Sequence, residues 1–154
     1  MFKMIKKILG TPAETGNKNG TDIREAHIAL CVLLLETAHA DGECSENEKE
    51  HIISTMTAKY NVQQEEIDKL ITSADEKRRE SVDLFSFTRY MNNNFSHDER
   101  LAVMDAVWRI IHIDDRLEAH EDHLAHKLAN LLRLTHKELI DSKLRARQQL
   151  ANEQ

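Results

Sequence analysis

The chain has 154 residues, of which 40% are hydrophobic and 31% charged, with a formal net charge of −6. That balance excludes a disordered chain and suits one soluble domain around a single core. No basic stripe interleaved with aromatics appears, which excludes a nucleic-acid surface. The one proline lies at position 12 and no glycine follows Gly42, so helices joined by short polar turns are favoured over strands and hairpins. Cys31, inside L-C-V-L-L-L, reads as a core residue. With Cys44 it makes a poor disulfide framework, so reduced thiols and a cytoplasmic setting are expected.

Residues 1–9, M-F-K-M-I-K-K-I-L, mix Phe2, Ile5, Ile8 and Leu9 with Lys3, Lys6 and Lys7. Lysines break the apolar run too often for a signal-peptide core or a membrane span. As a helix the segment is basic and amphipathic, which permits weak peripheral contact with an anionic membrane; a frayed helix packed on the domain is the plainer alternative. T-P-A-E-T-G-N-K-N-G-T reads as a linker, so residues 1–21 form an N-terminal segment and residues 22–150 a helical domain.

From Asp22 the periodicity is helical throughout. Ile23, Ala26, His27, Leu30, Leu34 and Ala38 mark a first helix of about 18 residues. Ser45-x-x-Glu48 is a capping box opening a second, with Ile52, Ile53 and Met56 inward. A third runs from Asn61 to about Ala74 and stops at the charged stretch D-E-K-R-R-E. A short helix follows from about Asp83, and a second capping box, Ser96-x-x-Glu99, opens a long helix carrying Trp108. Another spans about Glu118 to Arg133, and Thr135-x-x-Glu138 opens the last. The expected fold is all-α, a single bundle of about seven helices.

Shifted by 73 residues, the sequence aligns with itself without gaps. A-H-A-D-G-E-C-S-E-N-E (38–48) falls on I-H-I-D-D-R-L-E-A-H-E (111–121), pairing His39 with His112, Asp41 with Asp114 and Glu48 with Glu121. Glu65 then meets Glu138, and Ile67 meets Ile140. Helix–turn–helix units around 24–74 and 97–147 imply an internal pseudo-twofold repeat. Each Asp is expected in the last turn of a helix, where a negative charge costs on the order of 0.3–1 kcal/mol against the dipole. Glu48 is explained by its capping box, but Glu121 has Glu118 in place of the Ser, so capping alone does not account for it.

Two such Asp–Glu pairs supply four carboxylates, the ligands hard cations prefer, so Ca²⁺, Mg²⁺ or Mn²⁺ is expected over Zn²⁺. The metal set is Asp41, Glu48, Asp114 and Glu121, with His39, His112 and Asp115 as second choices. The order of acids is not that of an EF-hand. A solvated acidic surface for a partner protein, or capping and solubility alone, are the competing readings. His120, His123 and His126 recur at three but lack the H-E-x-x-H spacing. No catalytic triad, phosphate loop or cysteine nucleophile appears, so a non-enzymatic protein without an organic cofactor is expected; metal-dependent hydrolysis is the outside alternative.

The repeated A-D-G-x-x-S-x-x-E and I-D-D-x-L-x-x-x-E, with Trp108 and the L-A-N-L-L-R-L-T-H-K-E-L ending, resemble the tellurite-resistance TerB family and the broader TerB-like domain over about residues 24–147. The resemblance implies an all-helical domain with pseudo-twofold halves and an acidic site, proposed in that family to bind a metal ion, at Asp41, Glu48, Asp114 and Glu121. Asp115 departs from the glycine usual in the second copy. The resemblance further implies a stress role, towards tellurite or metals, near the bacterial inner membrane, with an unidentified protein partner and no established reaction. The competing expectation is a metal-independent scaffold near that membrane whose acidic face docks a partner. A homodimer is compatible with either reading.

Overall fold

Residues 28–35 are buried on every side, so the helix that carries them must lie inside the bundle. The computed structural model describes residues 20–40, 44–81, 83–113 and 119–153, without the side chains of residues 20–22, 119–122 and 153. Among these, seven α-helices follow one another: α1 Gly20–Ala38, α2 Glu46–Ser54, α3 Gln64–Glu80, α4 Phe85–Asn94, α5 His97–Ile113, α6 Ala119–Leu131 and α7 His136–Glu153. A π-helical turn, Thr55–Lys59, continues α2. There is no strand among the described residues, and the expected all-α fold is what the chain adopts. The basic segment 1–9 lies outside the described residues. No helix among them is long and apolar enough to cross a membrane.

All three capping boxes form. The backbone N–H of Ser45, Ser96 and Thr135 donates to Oε1 of Glu48 (2.9 Å), Glu99 (2.6 Å) and Glu138 (2.9 Å). Each Glu N–H returns to the hydroxyl at 3.1, 3.2 and 3.1 Å, so two otherwise unpaired donors are satisfied at each helix start. The third helix differs from expectation at both ends: it begins at Gln64, past the left-handed Asn61. α3 runs through D-E-K-R-R-E instead of stopping at Ala74. Arg78 pairs with Asp75 at 2.9 Å and reaches Glu36 of α1 at 3.3 Å, and Arg79 pairs with Asp75 at 3.0 Å. These pairs, with three basic residues in the last turn, suit a helix C-terminus.

α1 packs chiefly on α3, α5 chiefly on α7, and α1 and α5 lie against each other; α4 covers α1 and α6 covers α5. The two halves therefore reuse the same pairing of first and third helices. The 73-residue offset holds for the first two helices of each half. Leu30, Cys31, Leu33, Leu34, Thr37 and Ala38 match Val103, Met104, Ala106, Val107, Ile110 and Ile111, all buried. α2 and α6 begin 73 residues apart, at Glu46 and Ala119.

Past the π turn the offset becomes 72. The buried residues of α3, Ile67, Leu70 and Ala74, match the buried Leu139, Ser142 and Ala146 of α7. Positions 73 residues on (140, 143 and 147) are half-buried or exposed. The left-handed residues that end the second helices, Asn61 (φ 60°) and Arg133 (φ 61°), are also 72 apart. The Val62 N–H closes on the Met56 carbonyl six residues back, at 3.0 Å, whereas the Leu134 N–H closes on Ala129 five back, at 2.9 Å. The π turn thus absorbs one extra residue in the first half. The pairings of Glu65 with Glu138 and of Ile67 with Ile140 shift accordingly, to Glu66 and to Leu139.

Deleting exposed Ala58 should convert the π turn to plain α-helix and leave one cooperative transition, with a melting temperature within about 5 °C of the parent. Deleting exposed Lys69 instead rotates Leu70 and Ala74 by about 100° off the core and should abolish that transition. Thermal unfolding followed by circular dichroism distinguishes the two.

His27 of α1 lies edge-on to Tyr60, ring centroids 6.4 Å apart, with a buried Nε2 that has no hydrogen-bond partner among the described residues. Burial holds its pKa down at about 4, so the native state keeps it neutral while the unfolded chain protonates near 6.5. Its contribution to stability is present above pH 6.5 and is lost as pH falls towards 4. Between pH 7 and 4.5, urea unfolding of His27→Gln should show about 1–2 kcal/mol less loss of stability than the parent.

Candidate functional site

The connections α1–α2 and α5–α6 hold the sequence-derived acids. Asp41, Asp114 and Asp115 lie outside the described residues. Glu121 belongs to the first turn of α6, and its side chain lies outside them too. Of the four primary acids, Glu48 is the one whose side chain is described. It is 3% exposed and its Oε1 receives the Ser45 N–H. The capping explanation therefore holds for Glu48. Among the described residues no three His, Cys, Asp or Glu side chains gather as a metal would need.

The second-choice histidines sit differently. His39 follows α1, its backbone N–H on the Leu35 carbonyl at 2.9 Å, and its side chain is half-buried. His112 of α5 stacks on Trp108, centroids 5.7 Å apart at 18°. Burial holds its pKa down, helped by the charges of Arg147 and Lys143, while a hydrogen bond to the Lys143 backbone opposes the shift. Lys143 Nζ lies 5.1 Å from the Trp108 ring centre. His112 thus stacks on an indole within the field of two cations, which disfavours its charged form. His123 is exposed, and half-buried His126 lies 6.0 Å from the ring of His136 on α7.

Arg109 is the residue that sequence reasoning missed. It is 7% exposed on α5, its Nε donates to Nε2 of His51 at 3.3 Å and its Nη1 to Gln149 Oε1 at 2.9 Å. His51 is three residues after Glu48, on the same face of α2. A buried guanidinium is therefore set against the helix face that carries the candidate carboxylate. Beside it, Cys44 is a poor nucleophile: burial and the charge of Glu48 push its thiol up to about 11.

A family model described as "Tellurite resistance protein TerB" matches residues 27–144. The chain belongs to the TerB family. No curated protein and no solved structure matches it. The match runs from within α1 to within α7 and includes both connections that carry the acids, so it covers nearly all of the described core. Within this TerB domain Glu48 serves first as a cap, which makes its replacement informative. Glu48→Gln keeps an acceptor in the capping box and should cost less than about 0.5 kcal/mol, whereas Glu48→Ala should cost about 1–2 kcal/mol. Urea unfolding at neutral pH reads both.

Proposed function

We propose that this TerB-family chain is a non-enzymatic, metal-responsive adaptor of the cytoplasm whose two acidic turns share a divalent cation. Asp41 and Glu48 form one half of the site and Asp114 and Glu121 the other, with His39, His112 and Asp115 at its margin. The observation that carries the reading is that both turns join equivalent helices. α1 and α5 match in burial at an offset of 73, and α2 and α6 begin at that same offset. A pseudo-twofold relation between the halves would turn two unfavourably placed aspartates into one oxygen-rich site. Ca²⁺, Mg²⁺ or Mn²⁺ suits these donors better than Zn²⁺. The cation's role is to hold the two turns in one arrangement that a protein partner reads, within a tellurite or metal stress response.

A second reading rests on Arg109. A buried guanidinium on α5, bonded to α2 and α7, supplies an internal counter-charge. On that reading the acidic face is a metal-independent docking surface for a basic partner, near the inner membrane. No organic cofactor enters either reading.

Titration of the full chain with Ca²⁺, Mg²⁺, Mn²⁺ and Zn²⁺, followed by calorimetry and melting temperature, separates the two. The metal reading expects saturable heat and a rise in melting temperature with an oxygen-seeking ion. Glu48→Gln, which preserves the cap, should weaken that response by about tenfold, and Asp41→Asn with Asp114→Asn should remove it. Absence of heat and of stabilisation at millimolar metal would exclude the metal reading and leave the docking surface.

A further inference from the structure

A cavity of about 270 Å³ opens between the first turns of α1 and the start of α3. Ile23, Val62 and Leu70 give it an apolar wall, His27 faces it with an unpartnered Nε2, and Arg24 and Glu66 stand at its edge. Its counterpart in the second half follows from the two offsets. Ile23, Arg24 and His27 correspond to Ser96, His97 and Arg100; Val62 and Glu66, past the π turn, correspond to Leu134 and Glu138.

The second half fills that place with its own side chains. His97 Nε2 pairs with Glu138 Oε2 at 2.7 Å, Arg100 Nη1 donates to the Leu132 carbonyl at 2.8 Å, and Leu134 is 7% exposed. In the first half the corresponding side chains are present but do not make the same contacts among the described residues. Arg24 donates to Ser73 Oγ at 3.3 Å, and Glu66 has no cationic partner among the described residues. His27 is shorter than Arg100, and its Nε2 reaches no acceptor among the described residues. The vacancy therefore has a defined chemistry: an apolar filler for the wall beside Ile23 and Val62, and a cation for Glu66.

We propose that residues 1–9 of this same chain dock there, with the Phe2–Ile5–Leu9 face on the apolar wall and a lysine paired with Glu66. The three apolar positions fall on one helical face. The segment carries three lysines and no acid, on a chain of net charge −6, so its charge complements the body it would join. Residues 10–19 connect it to the start of α1 at Gly20, one turn before Ile23 at the cavity edge, and ten residues can span up to about 33 Å. Docking in cis adds no translational cost of association, which lets a small cavity hold a short segment. The extra residue that the π turn absorbs lies just before Asn61, Val62 and Gln63, which line this cavity.

The test uses the full chain with p-benzoylphenylalanine at position 2, irradiated at low micromolar concentration, and the attachment point mapped by mass spectrometry. Attachment within one chain, to peptides covering residues 23–27 or 61–70, is the expected result. Glu66→Lys, an exposed substitution that leaves the core untouched, should reduce that product by about fivefold, the scale of exchanging one surface ion pair for a repulsion. Attachment elsewhere, attachment only between two copies, or a yield indifferent to Glu66→Lys would each overturn the proposal. Melting temperature and helicity of Glu66→Lys, unchanged from the parent, exclude unfolding as the cause of the loss.

Discussion

Two helices without a polar face set the terms for the rest of the chain. α1 is buried on all sides from residue 28 to 35, and α5 is nearly so from Val103 to Ile111. Neither can face water at reasonable cost, so each must be sheathed. α3 and α4 sheathe α1, α6 and α7 sheathe α5, and the two apolar helices close the remaining side on each other. This arrangement makes the third helices amphipathic and long. It also leaves each connection between first and second helices at the end of a buried helix, with Gly42 in the first connection and neither glycine nor proline in the second.

The repeat shows what periodicity can and cannot reveal. Helical spacing, three capping boxes and the absence of breakers were enough to place all seven helices, because each of those signals acts within a few residues. The gap-free offset of 73 was also readable for the first two helices of each half. It failed for α3 and α7 because a π turn leaves no signature in residue type. T-M-T-A-K has no glycine, no proline and no polar outlier; the extra residue is detectable only where burial changes phase, between Met56 and Ile67. The charged stretch D-E-K-R-R-E misled for a related reason. Six charges look like a loop until Arg78 is seen bonding across to Glu36, a contact 42 residues distant in sequence.

The candidate site was legible in one respect and hidden in another. Glu48 could be identified as a cap from Ser45 alone, and the reciprocal bonds bear this out. Arg109 could not be identified. It lies in W-R-I-I, where an arginine among apolar residues is as readily a snorkelling side chain as a buried one. Only the tertiary packing of α5 against α2 and α7 makes it a fixed guanidinium between His51 and Gln149. A charge so placed has lost much of its hydration and needs the partners that the fold supplies.

Glu48 and Arg109 together bear on how an acidic turn can be tuned. A cap that takes a backbone N–H holds its carboxylate in one rotamer, so in the proposed site it would meet part of the ordering cost of ligation in advance. A guanidinium held against the same helix face works the other way, because it lowers the negative potential that would draw a divalent ion in. In the proposed site these two effects oppose each other, so a cation held there would be weak and displaceable, its occupancy following the surrounding ion concentration.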